Sequence, residues 1–295
     1  MAQAKRKEKA NKAEKAKAQA EARSEAKAGE QPAASDAGAP ASFEPWSKPA
    51  GLSRRGWIIL GVVVVLANFP LVHYALFRGT PEATVTLPYL NTFSDRATVE
   101  RDFWSSGGHW RVADNELLGA GPKNNPLWLK AKLPEDVVVE FDVRSLSPEG
   151  DIKVEIFGDG TDHASGYVLI HGGWNNSLSI IARLDEHGRS LQSIQQEANR
   201  IASELNLPSN KPEDTGVFRA STRMRVEANP YKVQIGRTYH WRIERKGSEL
   251  RWSIDGQPFM SFNDPFPLTG PKHDRFGFAG WEADLYFDNL RIEAL

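Results

Sequence analysis

Residues 239–254 read YHWRIERKGSELRWSI, and the period of this stretch decides the fold. Tyr239, Trp241 and Ile243 alternate with His240, Arg242 and Glu244, and after Lys246-Gly247-Ser248 the apolar phase resumes at Leu250, Trp252 and Ile254. Successive side chains of a strand point to opposite faces, so this alternation is that of half-buried strands. Two such runs joined by a Gly-containing turn predict a β-hairpin. The pattern recurs upstream. Val137, Val139, Phe141 and Val143 alternate with Val138, Glu140, Asp142 and Arg144, while Ile152, Val154 and Ile156 oppose Lys153, Glu155 and Phe157. Asp114-Asn115, Gly172-Gly173 and Asp255-Gly256 mark turns, and 166–171, 177–184, 276–281 and 284–292 read as further strands. About twelve strands over roughly 210 residues suffice for two stacked antiparallel sheets enclosing one core. One segment breaks the period: Leu191, Ile194, Ala198, Ile201 and Leu205 recur at helical spacing, which predicts an amphipathic helical insertion over 190–205.

The rest of the chain has a different composition. Residues 1–29 are nearly all Ala, Lys, Glu, Gln and Arg, helix formers without an apolar stripe, so they read as a solvated, disordered or helical basic tail. Residues 30–56 are dominated by Pro, Ala, Ser and Gly, which cannot bury a core, and read as a flexible linker. From Trp57 to Phe77 the sequence WIILGVVVVLANFPLVHYALF carries no formal charge. At about 1.5 Å per residue such a helix crosses a hydrocarbon layer of about 30 Å. A cleaved signal peptide would suit a cut after Ala67, but its n-region would be far longer than usual, so 57–77 reads as an uncleaved transmembrane signal anchor. Twelve Lys and Arg lie in residues 1–55, and only Arg78 and Arg96 follow within about 20 residues of the span. This places the N-terminus in the cytoplasm and residues 78–295 outside. The absence of Cys from the chain excludes disulfides, thiolate metal sites and thiol nucleophiles, and fits an exported bacterial domain in the periplasm. Residues 56–295 hold 25 basic and 31 acidic side chains, an acidic balance that argues against nucleic acid as a partner.

The alternating aromatics, the Lys-Gly hairpin, the Asp255-Gly256 turn, Asp264-Pro265 followed by Pro267-Leu268, the Gly277-Phe278 strand and the terminal Phe287-Asp288-Asn289-Leu290-Arg291-Ile292 strand together resemble the concanavalin A-like lectin/glucanase superfamily. They are most similar to bacterial domains of the 3-keto-disaccharide hydrolase group. Across residues 90–295 the resemblance implies an all-β, two-sheet antiparallel jelly-roll sandwich, and a bulge at Asp288-Asn289. It does not imply one activity, because this fold hosts lectins, carbohydrate-binding modules, glycosidases and lyases.

Glycosidases need two carboxylates flanking the scissile bond. Glu140 and Asp142 project from one strand face, and laminarinase-type members of the superfamily carry E-x-D-x-x-E on such a strand. This chain has Ser145 at the second glutamate position, leaving Glu155 on the next strand as the only substitute. The catalytic candidates are thus Glu140, Asp142 and Glu155; otherwise these residues form a charged sheet face paired with Arg144 and Lys153. His163, His171 and His187 form no recognisable catalytic pattern, and Asp159, Asp162 and Asp185 would suit a structural calcium only loosely, so no cofactor is expected. The aromatics point to a glycan instead. Trp174 lies in His171-Gly172-Gly173-Trp174-Asn175-Asn176, where an exposed indole beside amide side chains suits a sugar, and Trp281 beside Glu282 and Asp284 is a second such position. His171, Trp174, Asn175, Asn176 and Trp281 are the carbohydrate-binding candidates. The expected function is a membrane-anchored carbohydrate-binding or interaction domain. The alternatives are a glycoside hydrolase on the same sandwich and a protein-binding scaffold of an envelope complex.

Overall fold

The computed structural model describes residues 51–77, 79–208, 211–228 and 231–295. The expected tail 1–29 and linker residues 30–50 lie outside the described residues. Helix α1, Arg54–Phe77, carries Pro70 in its interior and is long and apolar enough, over Arg54–His73, to cross a membrane; its side chains there are uncovered.

From residue 84 onward the chain is mostly strand. One eight-stranded sheet runs β14 (Gln257–Asn263), β13 (Glu249–Ile254), β12 (Tyr239–Lys246), β6 (Val137–Ser145), β16 (Asp284–Ala294), β4 (Glu116–Ala120) and β3 (Trp110–Ala113), with β1 (Tyr89–Asn91) also on β16. The other runs β10 (Arg189–Ser190), β11 (Met224–Ala228), β9 (Leu178–Arg183), β8 (Tyr167–Gly172), β7 (Ile152–Gly158), β15 (Arg275–Ala279), β5 (Leu127–Leu129) and β2 (Phe103–Ser105). Every pairing among these strands is antiparallel except the short β10–β11 ladder. The 239–254 hairpin forms as its period predicts, Lys246 opposite Glu249 across the Gly247-Ser248 turn.

The apolar phases of both sheets meet in one core. Val137, Val139, Phe141 and Val143 face Ile152, Val154 and Ile156, and the rings of Trp241 and Trp252 sit 4.3 Å apart between them. Phe157 departs from the alternation: it has φ 58° at a register shift opposite β15, so the chain turns its ring into the core while Lys153 and Glu155 keep the outer phase. The register also shifts between Asp288 and Arg291, where Asn289 has φ 54° and donates from Nδ2 to Asp142 at 2.8 Å. The helical insertion is α2 here, Leu191–Glu204; Ile194, Ala198 and Ala202 are its buried residues, and Leu205 lies beyond it, exposed. A further short helix spans Arg96–Asp102, capped by Asp95.

Sheet two has a second apolar surface on its outer side. Val168, Ile170, Ile180 and Ala182 cluster there, away from the main core. Beside them Trp128 lies over Gly158 and Gly277; a Cβ at Gly158 would meet its ring at 2.3 Å, so only glycine admits the indole. This covered outer face is where the site is built.

Candidate functional site

Strand parity puts Lys153 and Glu155 of β7 on the outer face of sheet two, among loops that close over them. The loop after β7 brings back His163, whose Nδ1 lies 2.5 Å from Glu155 Oε1, and Ala164, whose N–H donates to Glu155 Oε2 at 2.8 Å. Glu155 is fully buried by these contacts. The turn after β9 brings Glu186, whose Oε2 accepts from Lys153 Nζ at 3.0 Å and lies 3.5 Å from His163 Nε2. Lys153 Nζ also donates to Asn124 Oδ1 at 2.9 Å. Two cations and two carboxylates therefore interlock under the loops, with Asp151 Oδ1 at 3.9 Å from the same Nζ. Such burial is sustainable only because each charge has a partner.

Above this network lies a cleft of about 400 Å³, lined by Asn124, Glu149, Asp151, Lys153, Ile170, Trp174, Asn175, Glu186, His187, Trp281 and Glu282. Its size falls within the range of about 300–1,000 Å³ usual for small-molecule sites. Trp174 and Trp281 flank it with 39 % and 46 % of their surfaces exposed. Trp174 rides on a left-handed turn in which Gly172, Trp174, Asn175 and Asn176 all have φ between 52° and 71°. A non-glycine residue at positive φ is costly, and Asn tolerates it best, which accounts for the Asn pair. The indole is further fixed by the edge of His187, 5.8 Å away, and by the Arg225 guanidinium over its ring. Trp281 is held through its backbone: its N–H donates to Asp151 Oδ2 at 2.6 Å and its carbonyl accepts from Lys123 N at 2.8 Å.

The charges respond to this environment. Burial pushes the Asp151 carboxyl above its ordinary range, opposed by Lys153 and the Trp281 amide. Burial opposes the His163 imidazolium, but hydrogen bonds to Glu155 and Glu186 overcome it and lift the group to about 9. Glu186 is likewise penalised by burial, yet His163 and Lys153 bring it down to about 2. Because His163 is raised, its contribution to stability is complete below about 6.5 and is lost as pH rises through about 9. Glu186, being lowered, contributes fully above its ordinary value and loses its contribution as pH falls through about 2. Thermal melts of His163→Gln should accordingly lack the decline in stability between pH 6.5 and 9 that His163 gives the native chain. A decline of equal slope in both proteins would remove His163 as its source.

The other expected residues are dispersed. Trp174, Asn175 and Trp281 meet at the cleft, whereas His171 and Asn176 do not line it. His171 shares the parity of Tyr167 and Leu169, so it points into the core beside Tyr239, Trp241, Trp252 and Phe259, and burial drives its imidazole down to about 4. Asn176 clamps the Val233 backbone, donating to its carbonyl at 2.8 Å and accepting from its N–H at 2.7 Å. Glu140 and Asp142 lie on the outer face of sheet one and Glu155 on the outer face of sheet two, so the three do not converge. Glu140 pairs with Arg242 at 2.7 Å and Asp142 with His240 at 2.8 Å, while Arg144 pairs with Glu116 and Lys153 with Glu186. Asp159 and Asp185 accept backbone N–H groups of their own turns. Among the described residues no group of three His, Asp or Glu is placed to hold a metal ion. Asp151, Lys153 and Glu186 were missed by the sequence reading; an outward-phase Lys-x-Glu on an otherwise apolar strand is the signal that marks Lys153.

No family model and no curated protein matches the chain. Among solved structures it is similar to the carbohydrate binding module CBM66 from Bacillus subtilis, with 13 % identity, TM-score 0.46, and 72 % of this chain and 100 % of that one covered. It is also similar to a protein of unknown function with a galectin-like fold from Bacillus subtilis, with 15 % identity, TM-score 0.42, and 70 % and 94 % covered. The Crh5 transglycosylase in complex with NAG gives 11 % identity, TM-score 0.45, and 73 % and 86 % covered.

Proposed function

We propose that this chain is a glycan-binding protein whose sandwich is displayed outside a membrane by α1, and that the cleft between Trp174 and Trp281 holds the sugar. The observation that carries this reading is the pair of exposed indoles flanking a floor of amide and carboxylate acceptors. An indole face packs against the C–H face of a pyranose, and the acceptors take its hydroxyl protons; neither element alone would favour a sugar. The excess of Lys and Arg ahead of α1 supports an N-terminus in the cytoplasm and the sandwich in the periplasm or beyond. A catalytic role for Glu140, Asp142 and Glu155 finds no support in their separation onto two faces.

The test is a glycan screen of the full-length chain in a polyoxyethylene detergent, which carries no sugar of its own. Trp174→Ala and Trp281→Ala should each weaken the selected glycan by about tenfold or more, the loss expected for a central aromatic contact of about 1.4 kcal/mol or more. Failure to bind any glycan, or equal affinity in both variants, would overturn the reading.

A further inference from the structure

The cleft has an uneven charge and a carboxylate oxygen that opens on it. Glu149, Asp151, Glu186 and Glu282 line it against the single cation Lys153, and that lysine's hydrogen bonds go to Asn124 and Glu186. The other nitrogen-bearing ring of the lining besides the indoles, His187, has its Nε2 3.6 Å from Glu186 Oε1, so no unpaired Lys or Arg of the lining faces a ligand's carboxylate. Asp151 keeps 11 % of its side chain exposed and lines the cleft; its Oδ2 is taken by the Trp281 N–H, whereas for Oδ1 the nearest charged partner among the described residues is Lys153 Nζ at 3.9 Å. A carboxylate oxygen that opens on the cleft from a poorly solvated wall is paired more strongly by a ligand's charged N–H than by a hydroxyl. The Trp281 indole acts in the same direction, because a cation is attracted to an aromatic face, whereas the Trp174 ring already has the Arg225 guanidinium over it.

Resting on the glycan-binding reading above, we infer that the cleft selects glycans bearing unsubstituted amino groups, glucosamine-type units, with the ammonium directed at Asp151 Oδ1 between Trp174 and Trp281. N-acetylation removes the charge and adds bulk where the carboxylates need a donor. A uronate would bring a further negative charge to a wall that already holds an excess of them.

Binding of the full-length chain to β-1,4-linked glucosamine oligomers, their N-acetylated counterparts and oligogalacturonate tests this by titration at low and high salt. The glucosamine oligomers should bind about tenfold or more tightly than the N-acetylated ones at low salt. The gap should narrow toward 1 M salt, where the screening length falls to about 3 Å. Asp151→Asn should collapse the preference while N-acetylated oligomers still bind. Because Asp151 is buried, the rim variant Glu149→Gln/Glu282→Gln provides a second reading and should reduce the same ratio. Equal or tighter binding of N-acetylated or acidic oligomers, still abolished by Trp174→Ala, would overturn the amino-sugar inference and leave glycan binding standing. Glucosamine binding indifferent to Trp174→Ala would mark adhesion of a polycation to an acidic surface and overturn the inference. No binding by any of the three, together with a blank glycan screen, would remove both readings.

Discussion

Asp264→Ala is expected to destabilise the sandwich by about 3–5 kcal/mol, the cost of leaving one member of a buried ion pair alone. Asp264 is 1 % exposed and sits just past β14 of sheet one. Its Oδ2 accepts from Arg183 Nε at 2.8 Å and from the Tyr167 hydroxyl at 2.7 Å, both in sheet two, while Oδ1 accepts the Phe266 N–H at 2.8 Å. One carboxylate therefore stitches the two sheets together. Arg183 would keep its bonds to the Thr222 and Phe266 carbonyls but lose its anionic partner, Asp264. For a domain of this size each kcal/mol moves the melting temperature by about 2–4 °C, so a fall of about 6–20 °C is expected. The double variant Arg183→Met/Asp264→Leu should be less damaging than the single one, because both charges leave together. A single variant melting within about 2 °C of the native chain, or a double variant worse than the single, would contradict this account of the pair.

Period two at 137–144, 152–156 and 239–254 is a local property, and it separated the core-facing from the outward-facing side chains wherever the ladder stayed in register, although loops bury Lys153 and Glu155 on the outer face. It failed at Phe157, where the left-handed residue at the register shift opposite β15 switches the phase; a lone aromatic in a polar slot gives no way to see that. The candidate site divides the same way. Trp174 and Trp281 were legible because an indole beside Gly, Asn or acidic residues has few partners in its own strand. His171 stands next to the same turn, yet its parity with Tyr167 and Leu169 assigns it to the core, a distinction available in the sequence but overridden by proximity. Asp151, Lys153, Glu186 and His163 converge only through loops that fold back over sheet two. Such contacts span up to 33 residues of chain and leave no period to read.

That convergence makes Lys153 the other position of large expected effect. With 3 % of its side chain exposed, its ammonium offsets Glu186 directly and Asp151 nearby, leaving His163 to serve Glu155. Lys153→Met keeps the length of the stem but takes the nearest cation from Asp151 and leaves Glu186 with His163 in a poorly solvated floor, for which about 3–5 kcal/mol is the expected cost near neutral pH. The sign of the pH dependence separates this from a packing defect. Without the ammonium Asp151, already raised by burial, rises further and Glu186 loses part of its lowering, so protonation relieves the variant, and its deficit against the native chain should shrink as pH falls from 7 toward 4. A cavity or clash would cost the same at both pH values. Lys153→Met/Glu186→Gln, which removes one charge of each sign, should regain much of the loss at neutral pH. The same ammonium holds Asn124, whose backbone N–H bonds to the Gly280 carbonyl beside Trp281. Glycan affinity in the single variant should therefore fall beyond what its unfolded fraction explains, and full affinity per folded molecule would show that the floor does not position Trp281.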